Sequence, residues 1–210
     1  MKKLILSVCI LFSVFTLGQA QNEPTTLFGL NNNIRISGFG GPTLAIAMLD
    51  GTPTFAMGGG GAVMINHFFV GGYGLSTTTN NVTRRVGGNE LYLNTGQGGI
   101  WIGYDFQPSR LLHFTASTRV GWGSLDLYRD SNTFTFPNND DDYRVLSRNF
   151  GMVTPELGVE VNLTYFFKIA LTGGYQIGFY DAVTTDNGSD INLNGAFGAL
   201  TFKFGWFGSR

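Results

Sequence analysis

The sequence of 210 residues has few charges, a single cysteine and, beyond its first 20 residues, no long hydrophobic run. Charged residues make up 13% of the chain, about half the fraction typical of soluble domains. The one cysteine is Cys9, so the rest of the chain has no disulfide, no cysteine nucleophile and no cysteine-ligated zinc site. No later segment has the length of an apolar helix that crosses a membrane. The apolar residues are instead dispersed along the chain.

The N-terminal segment has the features of a secretory signal peptide. Two lysines precede an apolar run that ends at Leu17, and small residues precede a cleavage position at Ala20. We therefore predict a signal peptide over 1–20, export, and a mature domain over 21–210. Cleavage would remove Cys9 and both lysines, which changes the formal net charge from −1 to −3. Such a weak charge does not indicate a nucleic-acid partner, and we predict none.

The rest of the chain predicts β-strands, most clearly where apolar and polar residues alternate in Leu112–Trp122. Phe114, Val120 and Trp122 share one parity there, and the other parity is polar. A period of two is typical of a strand with two unlike faces. Shorter and longer connections also alternate, as in an up-and-down meander. The pattern predicts eight strands, at Arg35–Leu49, Thr54–Asn66, Phe68–Thr79, Glu90–Phe106, Leu112–Tyr128, Phe150–Asn162, Phe166–Phe179 and Ile191–Phe207.

Two kinds of closed barrel fit this alternation, and they differ in which face is inside. A soluble barrel turns its apolar face inward, and a secreted barrel that carries an apolar ligand is therefore one alternative. A membrane barrel turns its apolar face to lipid. The polar faces here are mostly Gly, Ser, Thr and Asn, whereas a water-facing surface carries more charge. The sequence therefore predicts an all-β fold, an eight-strand antiparallel up-and-down transmembrane β-barrel.

The predicted signal, the eight amphipathic strands and the aromatic finish Phe202-Lys203-Phe204-Gly205-Trp206-Phe207 resemble the small eight-strand outer-membrane β-barrel family of Gram-negative bacteria. The resemblance covers essentially all of 21–210. It implies a location in the cell outer membrane, in contact with the lipid bilayer and lipopolysaccharide. It also implies the barrel-assembly machinery as a partner during biogenesis, but it implies no particular activity.

The polar face would bring eight ionisable residues into the lumen of such a barrel. Side chains fill an eight-strand interior, and buried charges must pair. We therefore predict a filled polar interior with a structural ion network, and a narrow pore for ions or small solutes is the alternative. The predicted members are Arg35, Asp105, His113, Arg119, Glu156, Glu160, Lys168 and Lys203.

The two histidines of the chain test a further alternative, a lipid-modifying outer-membrane enzyme. His67 lies in a short turn, and His113 begins a strand directly after another turn. Neither histidine has the sequence context of a Ser-His-acid triad or a His-x-x-His metal motif. We therefore predict that the protein is not an enzyme and has no catalytic residue, cofactor or metal site in the barrel.

The longest predicted loop carries three consecutive carboxylates, Asp140, Asp141 and Asp142. Carboxylates suit Ca²⁺ or Mg²⁺, but the run lacks the spaced pattern of a calcium-binding loop. These residues are candidates for a loosely held cation or for contact with a partner. The loops at 129–149 and 180–190 are the regions predicted to meet an external partner. The predicted function is structural or surface-interactive.

Overall fold

The computed structural model describes residues 35–78, 82–86, 88–128, 144–180 and 190–207. Nine β-strands in these ranges form one antiparallel sheet. No helix among the described residues has the length and apolar character needed to cross a membrane. The strands are β1 (Ile36–Leu49), β2 (Thr52–Ile65), β3 (Phe68–Thr77), β4 (Thr83–Val86), β5 (Asn89–Phe106), β6 (Leu112–Tyr128), β7 (Arg144–Asn162), β8 (Phe167–Tyr180) and β9 (Gly195–Trp206).

The sheet closes into a ring of eight strands. β1 pairs with β9, and β3 pairs with β5, so the ring has no free edge among its long strands. The short β4 pairs with the start of β5, beyond the end of β3, and it lengthens the barrel without widening it. Closure matters in lipid because an open edge would leave backbone groups without hydrogen-bond partners. The predicted eight-strand antiparallel barrel is confirmed.

Two features of the strands differ from the sequence prediction. β7 begins at Arg144, before the predicted Phe150, because it continues to pair with the end of β6. The segment predicted as a loop after Thr79 contains β4, which forms a hairpin with β5. Gly88 lies in the connection with φ +79°, a backbone conformation that favours glycine.

The connections divide the barrel into two ends. The turns β2–β3, β5–β6 and β7–β8 lie at one end, here called the short-turn end. Asn66 and Gln107 adopt positive φ angles of 58° and 57° in two of these turns, which is a conformation that asparagine tolerates well. The opposite end, here called the loop end, is where β6 ends and β7 begins. Antiparallel order places both sheet termini, at Ile36 and Trp206, at the short-turn end.

Candidate functional site

Each strand presents one face to the lumen and the other to the outside, and β6 has the sharpest contrast. His113 and Arg119 are 4% and 2% exposed, whereas Phe114 and Trp122 are each 69% exposed. The polar parity is therefore buried in the lumen, and the apolar parity covers the outer wall. A soluble barrel would have the opposite arrangement. The alternative of a secreted barrel that carries an apolar ligand is therefore wrong.

Aromatic side chains form a belt on the outer wall at the short-turn end. The rings of Tyr104 and Phe106 meet edge to face, with their centroids 5.0 Å apart. Such belts mark the level of the membrane–water interface, where the apolar ring meets lipid and a polar group meets water. The exposed aromatic residues of this end are Phe68, Tyr104, Phe106, Phe114, Tyr165, Phe166, Phe204 and Trp206.

Beyond Trp122, toward the loop end, the polarity of the two faces of β6 is reversed, and we call this the exchange of faces above Trp122. The outward residues after Trp122 on β6 are Ser124, Asp126 and the terminal Tyr128, and the inward residues Leu125 and Leu127 are 2% and 0% exposed. β5, its neighbour, also has buried leucines at its beginning, Leu91 and Leu93, and further along it buries Trp101 and Asp105. A tilted strand crosses a bilayer in about 9–11 residues, which is the length of the outward apolar stretch. Beyond the apolar wall, the barrel therefore continues with apolar side chains inside, as in a soluble barrel.

Seven of the eight residues predicted for the ion network are buried inside the barrel. Arg35, by contrast, is exposed. It precedes β1 at the rim of the short-turn end, where its charge remains in water, so it does not belong to the buried set. The buried members are Asp105, His113, Arg119, Glu156, Glu160, Lys168 and Lys203.

Glu160 is the centre of the larger ion cluster. Its Oε2 accepts a hydrogen bond from Lys203 Nζ at 2.5 Å, and its Oε1 lies 3.0 Å from Lys168 Nζ. His113 Nε2 is 3.2 Å from the same Oε1. Register explains the arrangement, because Lys168 and Lys203 are directly opposite each other on β8 and β9. Like charges in that position repel, and the carboxylate of Glu160 offsets the repulsion.

A second cluster surrounds Arg119 further along the lumen. Arg119 Nε lies 3.3 Å from Glu156 Oε1, and Thr172 donates a hydrogen bond of 2.9 Å to Glu156 Oε2. The guanidinium also lies over three aromatic rings, which stabilises it through cation–π contacts. The ring centroids of Trp101, Phe197 and Tyr73 are 4.9, 5.2 and 5.5 Å from its central carbon.

Asp105 is a buried carboxyl group that forms no salt bridge among the described residues. It is 0% exposed, and neither carboxylate oxygen has a hydrogen-bond partner among the described residues. One of its oxygens lies within 4.8 Å of ligand atoms of both His113 and Glu160. Three neighbouring strands bring these residues together, because His113 is directly opposite Glu160 and Asp105 is opposite Thr115.

The lumen is not wholly polar, and this differs from the sequence prediction. An aromatic-rich cluster that includes Phe39, Phe69 and Trp101 packs around the ions, and Lys203 Nζ lies 4.5 Å from the centre of the Phe39 ring. A second cluster fills the loop end, where apolar side chains face inward and are removed from solvent. Its members are Leu49, Val82, Leu91, Leu93, Leu125, Leu127, Phe150, Met152, Ile191 and Leu193.

The two histidines have different surroundings. His67 is exposed at the short-turn end, where its Nδ1 lies 3.1 Å from the hydroxyl of Tyr104. His113 contacts the carbonyl of Arg110 and the carboxylate of Glu160. Among the described residues, neither histidine forms a hydrogen bond with a serine, threonine or cysteine.

The loop residues predicted to hold a cation or a partner lie outside the described residues. This applies to Asp140, Asp141 and Asp142 and to most of the segments 129–149 and 180–190. The exceptions are the first residues of β7, the end of β8 and Asp190.

Comparisons with known proteins find similarity in structure but not in sequence. The sequence matches no protein-family model and no curated protein. Neisserial surface protein A, NspA, has a TM-score of 0.51 at 10% sequence identity, over 84% of this chain and 100% of that one. The fold is that of the small eight-strand outer-membrane barrels of Gram-negative bacteria. At this identity the likeness extends to the barrel fold alone.

Two crystal structures of Ail, the attachment invasion locus protein of Yersinia pestis, also match. They have TM-scores of 0.42 and 0.44 at 14% identity. They cover 81% and 82% of this chain, and 96% and 97% of their own chains. The second is a complex with the heparin analogue sucrose octasulfate. A TM-score below 0.5 does not establish a common fold, so nothing about this outer-membrane barrel follows from Ail.

Proposed function

We propose that this protein is a surface-interaction protein of the cell outer membrane, with a closed barrel that anchors a polar platform outside the bilayer. The outer platform consists of β4, the strand segments Asn89–Thr95, Ser124–Tyr128 and Arg144–Phe150, and residues 190–194. An external macromolecule is its partner, and the loops at 129–149 and 180–190 extend the contact surface. Lipid and lipopolysaccharide surround the wall, the barrel-assembly machinery inserts it, and residues 1–20 direct export.

The observation that carries this proposal is the exchange of faces above Trp122. A barrel whose only task was to span lipid needs strands of about 9–11 residues, whereas β5, β6 and β7 have 18, 17 and 19 residues. In β5 and β6 the additional residues turn leucines inward, and the outward positions are mostly polar, with Tyr92 and Tyr128 among them. They thereby form an ordered, water-facing surface beyond the membrane, which supports a role in contact with other molecules.

Ionic and backbone contacts hold the outer platform together. Arg84 on β4 pairs with the carboxylate of Asp50 and donates a hydrogen bond of 2.8 Å to the Asp50 carbonyl. The backbone N–H of Asn192 donates to the Asp50 side chain at 3.0 Å. These contacts join three separate connections of the loop end. A rigid platform binds a partner at a smaller entropic cost than a mobile one.

The filled lumen supports an anchor rather than a pore. The guanidinium of Arg119 and the rings of Tyr73, Trp101 and Phe197 occupy its middle, and the leucine-rich cluster occupies its loop end. A cavity lined by Gln97, Gln176, the hydroxyl residues Ser76, Thr77 and Thr95, and apolar residues has a volume of about 20 Å³, which accommodates no more than a water molecule. We propose that the protein does not conduct ions or small solutes.

The surroundings of the histidines support a function without catalysis. A lipid-modifying hydrolase or acyltransferase needs a nucleophile beside its general base. His113 is instead 4% exposed and faces carboxylates, so a lipid acyl chain has no access to it. Within the part of the chain that the structure describes, no observation favours the enzyme alternative.

Cysteine labelling in intact cells tests the orientation and the surface location. Exposed Glu90 lies at the outer platform and exposed Ser109 at the short-turn end. We expect Glu90→Cys to react with a membrane-impermeant maleimide in intact cells, and Ser109→Cys to react only after permeabilisation. Labelling of Ser109→Cys alone in intact cells would refute the proposed orientation. Loss of both signals from the outer-membrane fraction would refute the location.

Recording from planar bilayers tests the closed lumen. We expect no discrete conductance steps from the purified, folded barrel, which a heat-dependent shift on a detergent gel would identify as folded. As a positive control, Arg119→Ser combined with Trp101→Ala removes the largest groups from the middle of the lumen. Regular conductance steps from the unmodified protein would favour the pore alternative instead.

A further inference from the structure

We infer that Asp105, His113 and Glu160 form a binding site for a divalent transition-metal ion inside the short-turn end of the barrel, with zinc as the natural probe. This site goes beyond the proposed surface interaction and contrasts with the sequence prediction of no metal in the barrel. Their ligand atoms all lie within 4.8 Å of one another. One imidazole and two carboxylates form a mixed nitrogen and oxygen donor set that suits zinc.

Four of the buried side-chain atoms that lack a hydrogen bond among the described residues belong to these three side chains. They are both oxygens of Asp105, Nε2 of His113 and Oε1 of Glu160, and of these only Glu160 Oε1 has a cation close by, Lys168 Nζ at 3.0 Å. These side chains are at most 4% exposed, so bulk water does not solvate them. A buried polar group without a partner is costly. A cation placed between the four atoms would satisfy all of them together.

The orientation of the imidazole agrees with metal binding. His113 Nδ1 lies 3.2 Å from the carbonyl oxygen of Arg110. A carbonyl only accepts hydrogen bonds, so Nδ1 carries the proton and donates it. In the neutral ring the lone pair is then on Nε2, which faces Glu160 Oε1 at 3.2 Å. Two lone pairs that face each other repel unless a proton or a metal ion lies between them, and a backbone carbonyl that fixes the tautomer is a usual support of a metal-binding histidine.

The distribution of charge also leaves room for a cation near Asp105. Arg119 and Glu156 neutralise each other in their own cluster. The carboxylate of Glu160 is shared by Lys168 and Lys203, and no salt bridge to Asp105 occurs among the described residues. A metal ion would bind Asp105 and share Glu160 Oε1, which requires Lys168 to withdraw.

Lys168 has space to withdraw from Glu160. It lines a cavity of about 270 Å³ at the short-turn end, together with Asn66, Asn162 and Tyr165. Its Nζ, while paired with Glu160, also lies 4.2 Å from the centre of the Phe207 ring, a cation–π contact that would still stabilise the ammonium after it leaves Glu160. Water from the cavity would supply the fourth ligand of a tetrahedral zinc ion.

Zinc titration of the folded barrel in detergent, produced without a histidine tag, tests the site. We expect a single zinc ion per chain in the unmodified protein. His113→Gln should weaken zinc binding by about 100-fold or more, because loss of a supporting contact alone costs about 10–100-fold. The matched control His67→Gln removes the exposed histidine and should leave the affinity unchanged. Equal affinities of the two histidine variants, or no zinc retained by the unmodified protein, would overturn the inference.

Lys168→Gln gives a result that a purely structural network would not produce. Removal of the competing ammonium should make zinc bind more tightly, whereas Glu156→Gln, which alters the separate Arg119 cluster, should change nothing. Weaker zinc binding by Lys168→Gln would contradict the competition that the site requires.

X-ray absorption decides the question if His113→Gln fails to fold. The sample is zinc-loaded His67→Gln protein, in which His113 is the remaining histidine. One imidazole and oxygen ligands in the first shell of the zinc would support the site. A shell without imidazole would overturn it.

Discussion

Glu160→Gln is the substitution that should damage the barrel interior most. Glu160 is 0% exposed and is shared by Lys203 and Lys168 at 2.5 and 3.0 Å. The amide keeps the shape of the side chain but removes its charge, which leaves two buried ammonium groups opposite each other. Removal of one partner from a buried ion pair costs about 3–5 kcal/mol. We expect the free energy of unfolding to fall by about that amount.

Urea unfolding in lipid vesicles, followed by tryptophan fluorescence, measures this loss. Glu156→Gln is the matched control, since Glu156 is another buried glutamate in an ion pair. Its effect should be smaller because Arg119 retains contacts with three aromatic rings. Glu160→Gln combined with Lys203→Met should recover part of the loss, because the double variant leaves one fewer charge unpaired. A loss below about 1 kcal/mol for Glu160→Gln would refute the reasoning.

Two further substitutions test the packing of the lumen and the position of the lipid. Gly103→Ala would place its Cβ 2.3 Å from Phe69 Cζ. Because Phe69 is fully buried, we expect slower refolding and a lower urea midpoint, with partial rescue by Phe69→Leu. An unchanged midpoint would show that the Phe69 ring can move. Leu157→Arg places a charge on the outer wall at a residue that is 72% exposed. It should lower the free energy of unfolding by about 2–4 kcal/mol in the same vesicle assay. Ser124→Arg lies beyond the apolar stretch, toward the loop end, and should lower it by about 0–1 kcal/mol. Equal costs would contradict the proposed membrane boundary.

The outer wall could be predicted from the sequence because alternation is a local property. Each strand carries its own period of two, so Phe114, Val120 and Trp122 share a face whatever their neighbours are. The scarcity of charge on the polar faces favours a membrane barrel over a soluble barrel. The exchange of faces above Trp122 was also present in the sequence, at Leu125 and Leu127. An interpretation that gives each strand one polar face and one apolar face along its whole length does not predict this exchange.

Composition and alternation along the chain thus determined the class of fold, the strand number and which residues point inward. Only the tertiary structure decided which of those inward residues meet. The meeting of Asp105 with Glu160, or of Glu160 with two lysines, depends on the register of strands that are far apart in sequence. Register is a relation between strands, and a pattern with a period of two within one strand contains no information about the alignment of its partner. Arg35 illustrates the same limit, since its position at the rim depends on where pairing with the neighbouring strands begins.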